Sequence, residues 1–325
     1  MNLTPRIGRI GLMHGKETEF PEAVIERINR KNGDQIQAES IKIGDIPLDY
    51  ECNYRLIIDR ISYKVPYYQS FLKSMILGGI YVINDPFWFD TSDRFFNFGL
   101  ISRLNIPTPK TVCLPSHSYG DQVSNKDLTN MIFPLDWDRV INYTKFPAIL
   151  KPYNDIGWQN EITVQSKEEL LYHYNQSGTA TMIVQELIQY EFFVRCFVIG
   201  KKHVLPIIYD PKNRSFSSDA APLPIELELR LKSKSQRICQ ALGYDMNTVD
   251  FAVTGDKICA VDFMNPVPAV RSEGVGDQNF DWVVGHLADL AIDLAKREAS
   301  SYDNHHWYRV EKLPKKPRLR QSIKS

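Results

Sequence analysis

The sequence predicts a protein of mixed α/β and α+β architecture, made of three successive regions and a C-terminal tail. In the first region, apolar strand patterns alternate with helix patterns, which is typical of a parallel sheet with helices on its faces. In the later regions, strands follow one another as hairpins, which is typical of antiparallel sheets covered by helices. We place the divisions at residues 1–105, 106–190, 191–302 and 303–325, the last of these being a basic tail.

The strand and helix patterns of the first region predict a small three-layer α/β domain. Its strands are short apolar runs, which suit a parallel sheet that is buried on both faces. Its helices carry apolar residues on one side, and the last of them ends before a proline-rich segment. The predicted strands are 9–13, 56–58 and 80–83, and the predicted helices are 20–31, 66–77 and 94–104.

The second and third regions predict two α+β subdomains. Ser166 with Glu169 forms a capping-box pattern that opens one helix, and Gly243 closes a later one. Residues 115–130 are rich in Ser, Asp, Asn and Gly, so we expect an exposed loop there. The predicted strands are 146–151, 162–164, 181–184, 192–199 and 203–209, and the predicted helices are 166–175, 225–242 and 281–299.

Two apolar strands near the end of the third region each contain one aspartate, Asp250 and Asp262. A loop at residues 255–257 would place these two carboxylates directly opposite each other on one face. Opposed carboxylates repel, so this pairing favours a divalent cation between them, with the side-chain oxygen of Asn265 nearby. The alternative is a plain hairpin whose acidic side chains point to water.

Three further charged residues are candidates for contacts with a nucleotide. Lys151 ends an apolar strand and precedes a turn with Gly157, so it could reach a phosphate that backbone N–H groups also cover. Glu191 follows the strand at 184–188 and could accept hydrogen bonds from ribose hydroxyls. Arg195 alternates with apolar neighbours and could face the same cavity as Lys151. For both Lys151 and Arg195, the alternative is an exposed side chain on the surface of a sheet.

The composition excludes some classes of function. With 39 basic and 39 acidic residues, the chain has no net charge that would attract nucleic acid or a membrane surface. The five cysteines form no C-x-x-C pair and predict buried free thiols in the reducing cytoplasm. We expect the basic tail to be a solvated terminus, with a binding arm as the alternative. The oligomeric state stays open, and a homodimer is one option.

Several motifs follow one another between about residues 93 and 268. They are Asp93-Arg94-Phe95-Phe96, Ile106-Pro107-Thr108-Pro109, Phe146-Pro147-Ala148-Ile149-Leu150-Lys151-Pro152, Val184-Gln185-Glu186-Leu187-Ile188, Glu191 to Gly200 with Arg195, and Val249-Asp250-Phe251 with Val261-Asp262-Phe263-Met264-Asn265-Pro266. In this order they resemble the ATP-grasp superfamily, and within it the glutathione synthetase and ribosomal-protein glutamate-ligase type. The segments 59–62 and 84–88 resemble the pre-grasp domain of a bacterial branch of that superfamily.

The resemblance implies an ATP-grasp fold, in which a pre-grasp domain precedes two α+β subdomains that clamp ATP. It implies that Lys151 contacts the α- and β-phosphates and that Arg195 neutralises the transferring phosphoryl group. The end of the strand at 184–188 would line the adenine, and Glu191 would hold the ribose. The full implied set is Arg94, Lys151, Gln185, Glu186, Leu187, Ile188 and Glu191 for the nucleotide, and Asp250, Asp262 and Asn265 for Mg²⁺.

The activity that the resemblance implies is that of an ATP- and Mg²⁺-dependent ligase, which joins a carboxylate to an amine through an acyl-phosphate. The substrates would be small molecules or peptides, and Arg60 and Arg271 are candidates for binding a substrate carboxylate. A structural role is the alternative for both arginines. The alternative functions are a nucleotide-binding protein without turnover and an ATP-dependent kinase that phosphorylates a small molecule.

The sequence departs from the family pattern at three places. Arg94 stands where the family usually has lysine, and arginine differs from lysine in reach and geometry. The loop at 154–157 contains a single glycine, and Asp155 would repel a phosphate unless it turns away. Two residues instead of one separate Asp262 from Asn265, which would direct their side chains to opposite faces unless the strand bulges or ends.

Overall fold

A computed structural model describes residues 8–32, 35–87, 93–154, 160–217 and 221–297. The chain folds into two compact units, Met1–Phe87 with Asp281–Ser325, and Trp88–Phe280. The predicted basic tail at 303–325 lies outside the described residues. Among the described helices, none combines the length and the apolar character that crossing a membrane would require.

The first unit contains a parallel four-stranded sheet with the order β2–β1–β3–β4. In strand β3, all four consecutive residues are buried. Because successive side chains point to opposite faces, both faces of this sheet are covered, and the predicted three-layer arrangement is confirmed. The strands are β1 (Gly8–Met13), β2 (Ile36–Ser40), β3 (Leu56–Asp59) and β4 (Tyr81–Ile83).

Three helices belong wholly or mostly to the first unit. They are α1 (Glu19–Asn32), α2 (Pro66–Leu77) and α8 (Asp277–Lys296), and a short 3₁₀ turn covers Ser62–Lys64. Ion pairs from Arg27 to Asp281 and from Lys31 to Asp289 join α1 to α8. The closing helix therefore belongs mostly to the first unit, and not to the region 191–302 to which we assigned it.

The second unit contains two antiparallel sheets, of which the first has the order β5–β8–β6–β7. Helices α4 and α5 cover one face of this four-stranded sheet, where Ala148, Leu150 and Val164 pack with Leu170 of α5 and Val140 of α4. The elements are β5 (Thr111–Leu114), α4 (Trp137–Thr144), β6 (Ala148–Pro152), β7 (Ile162–Val164), α5 (Lys167–Asn175) and β8 (Met182–Glu186).

The five-stranded sheet of the second unit has the order β11–β10–β9–β12–β13. The strands of this sheet are β9 (Phe192–Ile199), β10 (His203–Asp210), β11 (Ser215–Phe216), β12 (Met246–Thr254) and β13 (Lys257–Asp262). The remaining helices of the second unit are α3 (Arg94–Arg103), α6 (Ile225–Leu242) and α7 (Ser272–Val275). Phe98 and Ile101 of α3 pack into the core that this sheet shares with α6. The division predicted at residue 105 therefore falls too late, because α3 is part of this core.

The hairpin of β12 and β13 differs from the prediction at two places, its turn and a β-bulge, and the two differences cancel in the strand register. Its turn has two residues between the paired Thr254 and Lys257, one fewer than we predicted. The shorter turn alone would have moved Asp250 out of register with Asp262. A β-bulge, which leaves Val261 without a Cα partner on β12, restores the pairing of Asp250 with Asp262. The predicted opposition of the two aspartates is therefore confirmed, although the predicted turn is wrong.

Replacing two glycines of the second unit by alanine should change the free energy of unfolding in opposite directions. Gly243 ends α6 in the left-handed region, with φ 77°, and alanine there should lower the free energy of unfolding by about 1–2 kcal/mol. Gly99 lies within α3 with no heavy atom within 4 Å of an added Cβ, and alanine there should raise it by about 0.5–1 kcal/mol. Urea unfolding of both variants measures these changes. Shifts of the same sign would contradict the assigned helix end.

Candidate functional site

A cavity of about 650 Å³ lies between the two antiparallel sheets of the second unit. In β6, Ala148 and Leu150 point into the helix-covered core, so Ile149 and Lys151 point the opposite way, into the cavity. Phe193 and Asp262 reach it from the five-stranded sheet. The residues that line this inter-sheet cavity are Arg94, Pro109, Ile149, Lys151, Glu161, Thr163, Gln185, Glu186, Leu187, Ile188, Gln189, Tyr190, Phe193, Pro211, Lys212, Arg214, Val261 and Asp262.

Lys151 is buried in the wall of the inter-sheet cavity and is paired with an acid. Its Nζ donates to Oε1 of Glu161 at 2.6 Å, and its side chain is only 3% exposed. Burial lowers the pKa of Lys151 below that of an ordinary lysine, the Glu161 carboxylate opposes this shift, and the charge of Arg94 adds to it. Lys151 therefore faces the cavity and not bulk water, and its contact with a phosphate stays a prediction.

Arg94 reaches the same cavity from the first turn of α3. Asp93 caps this helix by accepting a hydrogen bond from the backbone N–H of Phe96, and the N–H of Arg94 donates to the carbonyl of Tyr153. The Arg94 side chain is buried, with Nη1 4.0 Å from Oδ1 of Asp262. Two cations and two carboxylates, those of Arg94, Lys151, Glu161 and Asp262, therefore line one cavity.

The end of β8 supplies the less charged part of the cavity wall. Gln185 is buried and donates from Nε2 to the hydroxyl of Thr111 at 2.9 Å. Glu186 accepts from the backbone N–H of Lys110 through its Oε2 at 3.2 Å. The strand ends at Glu186, so Leu187 and Ile188 follow it outside the regular ladder and line the cavity with apolar side chains. All four of these predicted residues are among the lining residues.

Arg195, Asp250 and Asp262 form a row across neighbouring strands of the five-stranded sheet. Strand register pairs Arg195 with Asp250, and Asp250 with Asp262. Arg195 donates from Nε to Oδ1 of Asp250 at 2.7 Å and from Nη2 to Oδ2 at 2.6 Å. Its guanidinium also stacks on Tyr209, 3.7 Å from the ring centroid. Burial favours a lower pKa of Arg195, but the hydrogen-bonded carboxylate outweighs it, so the pKa is raised and the arginine stays charged.

These contacts fit only part of the predicted Mg²⁺ site. Both carboxylate oxygens of Asp250 accept hydrogen bonds from Arg195, so this carboxylate does not present a free oxygen pair to a cation. Asp262 does face the cavity, whereas Asn265 is outside its lining, and the N–H of Asn265 donates to Oδ1 of Asn247. Within the described residues, no group of three or more His, Cys, Asp or Glu side chains is arranged to hold a metal. The three-ligand set stays a prediction.

Like Arg195 and Asp250, three other predicted residues are not among the lining residues of the cavity. Glu191 is exposed and accepts from the N–H of Gly255 at 3.2 Å, at the turn of the β12–β13 hairpin. Arg60 belongs to the first unit, where it is buried and forms a two-point ion pair with Glu17. Arg271 is exposed immediately before α7. The binding roles assigned to all three stay predictions.

Three charged residues of the cavity wall were missed from the sequence. They are Glu161, which precedes β7, and Lys212 and Arg214, which lie in the turn between β10 and β11. Asp210 shapes this turn by accepting from the N–H groups of Lys212 and Asn213. The pattern Asp210-Pro211-Lys212-Asn213 is a recognisable turn signal, but only the tertiary structure brings the turn to the cavity. The predicted loop residues Asp155 and Gly157 lie outside the described residues.

Replacement of Arg195 should destabilise the protein, because it leaves the Asp250 carboxylate buried without its ion-pair partner. The Asp250 side chain is 3% exposed, so we expect Arg195→Met to lower the free energy of unfolding by about 3–5 kcal/mol. The double variant with Asp250→Asn should recover part of this loss. Lys167→Met breaks an exposed ion pair with Asp138 and serves as the control, with nearly unchanged stability. Urea unfolding that gives equal losses for Arg195→Met and Lys167→Met would contradict the assigned burial.

Comparisons with known proteins bear on the fold of the chain. No family model and no curated protein matches the sequence. Among solved structures, the D-alanine–D-alanine ligase from Bacillus anthracis in complex with ATP is 15% identical, with a TM-score of 0.60 over 89% of this chain and 96% of that one. The ATP-grasp ligase PsnB in complex with a minimal precursor, Mg and ADP is 13% identical, with a TM-score of 0.60 over 89% and 98%.

A third solved structure is similar over the same length. The RimK domain protein ATP-grasp from Sphaerobacter thermophilus is 19% identical, with a TM-score of 0.61 over 88% of this chain and 100% of that one. The alignments include nearly all of each of the three proteins, so the likeness covers the first unit as well as the two antiparallel sheets. Together with the inter-sheet cavity, these similarities show that the chain has the ATP-grasp fold.

Proposed function

We propose that this protein is an ATP-dependent ligase that joins a carboxylate to an amine, with Mg²⁺ accompanying the nucleotide. The observation that carries the proposal is the inter-sheet cavity, into which separate chain segments direct Arg94, Lys151 and Asp262. Leu187 and Ile188 add an apolar surface beside these charges. A cavity with buried cations and an apolar wall suits a ligand that combines phosphates with a flat base.

The proposed roles follow from the chemistry of each side chain. Lys151 and Arg94 donate to phosphate oxygens, the first as a point charge and the second as a fork of N–H groups. Beyond the end of β8, backbone groups can pair with the edge of the base while Leu187 and Ile188 contact its face. Glu191 remains the proposed ribose contact, which requires it to leave the N–H of Gly255.

The reaction would proceed in two balanced steps. A substrate carboxylate oxygen attacks the γ-phosphorus of ATP, the bond to the β-phosphate oxygen breaks, and ADP leaves. The amine nitrogen then attacks the carbonyl carbon of the acyl-phosphate, inorganic phosphate leaves and a proton is released from the nitrogen. The protein would contribute positioning and neutralisation of charge, for which Lys151, Arg94 and Arg195 are the candidates.

The metal would supply further charge neutralisation at the phosphates. Asp262 is the residue that could contact it, since this carboxylate already faces the cavity. Asp250 and Asn265 could join only if Arg195 released Asp250 and the segment after β13 moved. Two similar proteins were crystallised with ATP and with Mg and ADP, respectively, which supports the choice of cofactors.

Small-molecule or peptide carboxylates and amines are the proposed substrates. The similar protein PsnB was crystallised with a minimal precursor, which supports a peptide as substrate. Another similar protein is named as a D-alanine–D-alanine ligase, which supports an amino acid. Arg60 and Arg271 stay candidates for the substrate carboxylate. A cytoplasmic location and the absence of nucleic-acid and membrane partners stay predictions from composition, and a homodimer stays one option.

The direct test is ADP release from purified protein with ATP, Mg²⁺ and pools of amino acids and short peptides. We expect release above background with at least one pool, and hydroxylamine should trap the acyl-phosphate as a hydroxamate. Lys151→Met should lower kcat/KM by at least about 100-fold if the ammonium stabilises the transferring charge. Absence of both ADP release and nucleotide-dependent thermal stabilisation in the wild-type protein would refute the proposal.

A second candidate is a nucleotide-binding protein without turnover. The ion pair between Arg195 and Asp250 favours it, because this contact engages both a candidate catalytic cation and a candidate metal ligand. This candidate predicts that ATP raises the melting temperature while no pool gives ADP. A kinase is a third possibility from the sequence alone, and it would give a stable phosphorylated product without any amine.

A further inference from the structure

We propose that Glu161 takes the place of a phosphate group on Lys151 in the nucleotide-free protein, and that it thereby sets the affinity of the inter-sheet cavity for phosphates. Glu161 would be a positioning residue that acts through Lys151. The inference rests on the proposed function, because it assumes that the cavity receives the phosphates of a nucleotide.

Strand register fixes the encounter between the two side chains. Ala148 pairs with Val164, and Leu150 pairs with Ile162, in the antiparallel ladder of β6 and β7. One step further along the same register, Lys151 lies opposite Glu161. Cross-strand neighbours of opposite charge attract, and here Nζ and Oε1 are 2.6 Å apart. The last pair of the ladder therefore brings Glu161, which immediately precedes β7, close to Lys151, and both residues line the inter-sheet cavity.

The pair compensates a charge that would otherwise be costly to bury. An isolated ammonium loses its hydration in the cavity wall, and the like charge of Arg94 is close enough to destabilise it further. Glu161 provides the opposite charge when no ligand is present. Its carboxylate therefore favours the protonated form of Lys151 and holds the ammonium group in the cavity wall before the nucleotide arrives.

A phosphate group would compete with Glu161 for the same ammonium. Carboxylate and phosphate oxygens both accept from Nζ, and two anions on one buried cation repel each other. Glu161 is the partner that can leave, because its side chain is 14% exposed whereas that of Lys151 is 3% exposed. A phosphate that contacts Lys151 therefore weakens or displaces the contact with the resident carboxylate, and this cost reduces the observed affinity.

A buried ion pair of the five-stranded sheet cannot act in the same way. Arg195 and Asp250 are both inside regular strands and are joined by two hydrogen bonds, and the Asp250 side chain is 3% exposed. Glu161, in contrast, lies just outside β7 and makes a single hydrogen bond to Lys151. The displaceable anion is therefore Glu161, and the Arg195–Asp250 pair has a fixed geometry.

Calorimetric titration with ADP and with inorganic triphosphate, both without an amine or carboxylate substrate, tests this proposal. We expect Glu161→Gln to bind both ligands at least about tenfold more tightly than the wild-type protein, a factor that corresponds to about 1.4 kcal/mol. The gain should vanish when Lys151→Met is added, because the competition acts through the ammonium. Glu168→Gln removes the same charge from an exposed site of α5 and should leave both affinities unchanged.

Glu161→Asp keeps the charge but shortens the side chain, and it should give a smaller gain in the same direction. This variant carries the test if Glu161→Gln fails to fold. Binding by the wild-type protein that is equal to or tighter than that of both variants would overturn the inference while leaving the proposed function intact. If neither the wild-type protein nor the variants bind ADP, the proposed function fails and the inference fails with it.

Discussion

The arrangement of the second unit depends on the compensation of cations that are buried between two antiparallel sheets. Lys151 is paired with Glu161, which immediately precedes the neighbouring strand β7, and Arg195 is paired with Asp250 of the neighbouring strand β12, at 2.6 Å in both cases. Without those partners, the sheet faces that are directed toward the cavity would carry isolated buried charges. Such charges would destabilise the folded protein. The pairs allow polar faces to remain inside the protein while the opposite faces pack on α4, α5, α3 and α6.

This division of each sheet into an apolar and a polar face also explains how the site is assembled. Alternation along β6 places Leu150 in the core and Lys151 in the cavity, and strand pairing brings Gln185 to the same side. The five-stranded sheet contributes Asp262 from its last strand. A ligand in the cavity would therefore contact residues that are remote in sequence, and of these Lys151 and Asp262 belong to regular strands and Arg94 to a helix N-terminus.

Elements with clear boundaries could be predicted from the sequence. Pro66 begins α2 at a position where proline fits the helix, and Gly243 ends α6, so both helices were predicted to the residue. Strand β5 was missed because it has four residues, lies at an edge of its sheet and is partly exposed. Short edge strands lack the apolar alternation that identifies a longer one.

The residues of the site were found more readily than the contacts among them. Lys151 and Asp262 stand out because they interrupt apolar strands, and both line the cavity. The pairing of Arg195 with Asp250 depends on the non-local register of β9 with β12, which no local pattern reveals. Glu161 was missed for the same reason, since only the ladder of β6 with β7 places it opposite Lys151.

A crystal structure with a non-hydrolysable ATP analogue and Mg²⁺ would show whether the inter-sheet cavity binds the nucleotide. We expect the analogue to occupy this cavity, with a phosphate oxygen about 2.7–3.2 Å from Nζ of Lys151 and with the Glu161 carboxylate turned away. An analogue bound elsewhere, with Lys151 still paired to Glu161, would contradict this expectation.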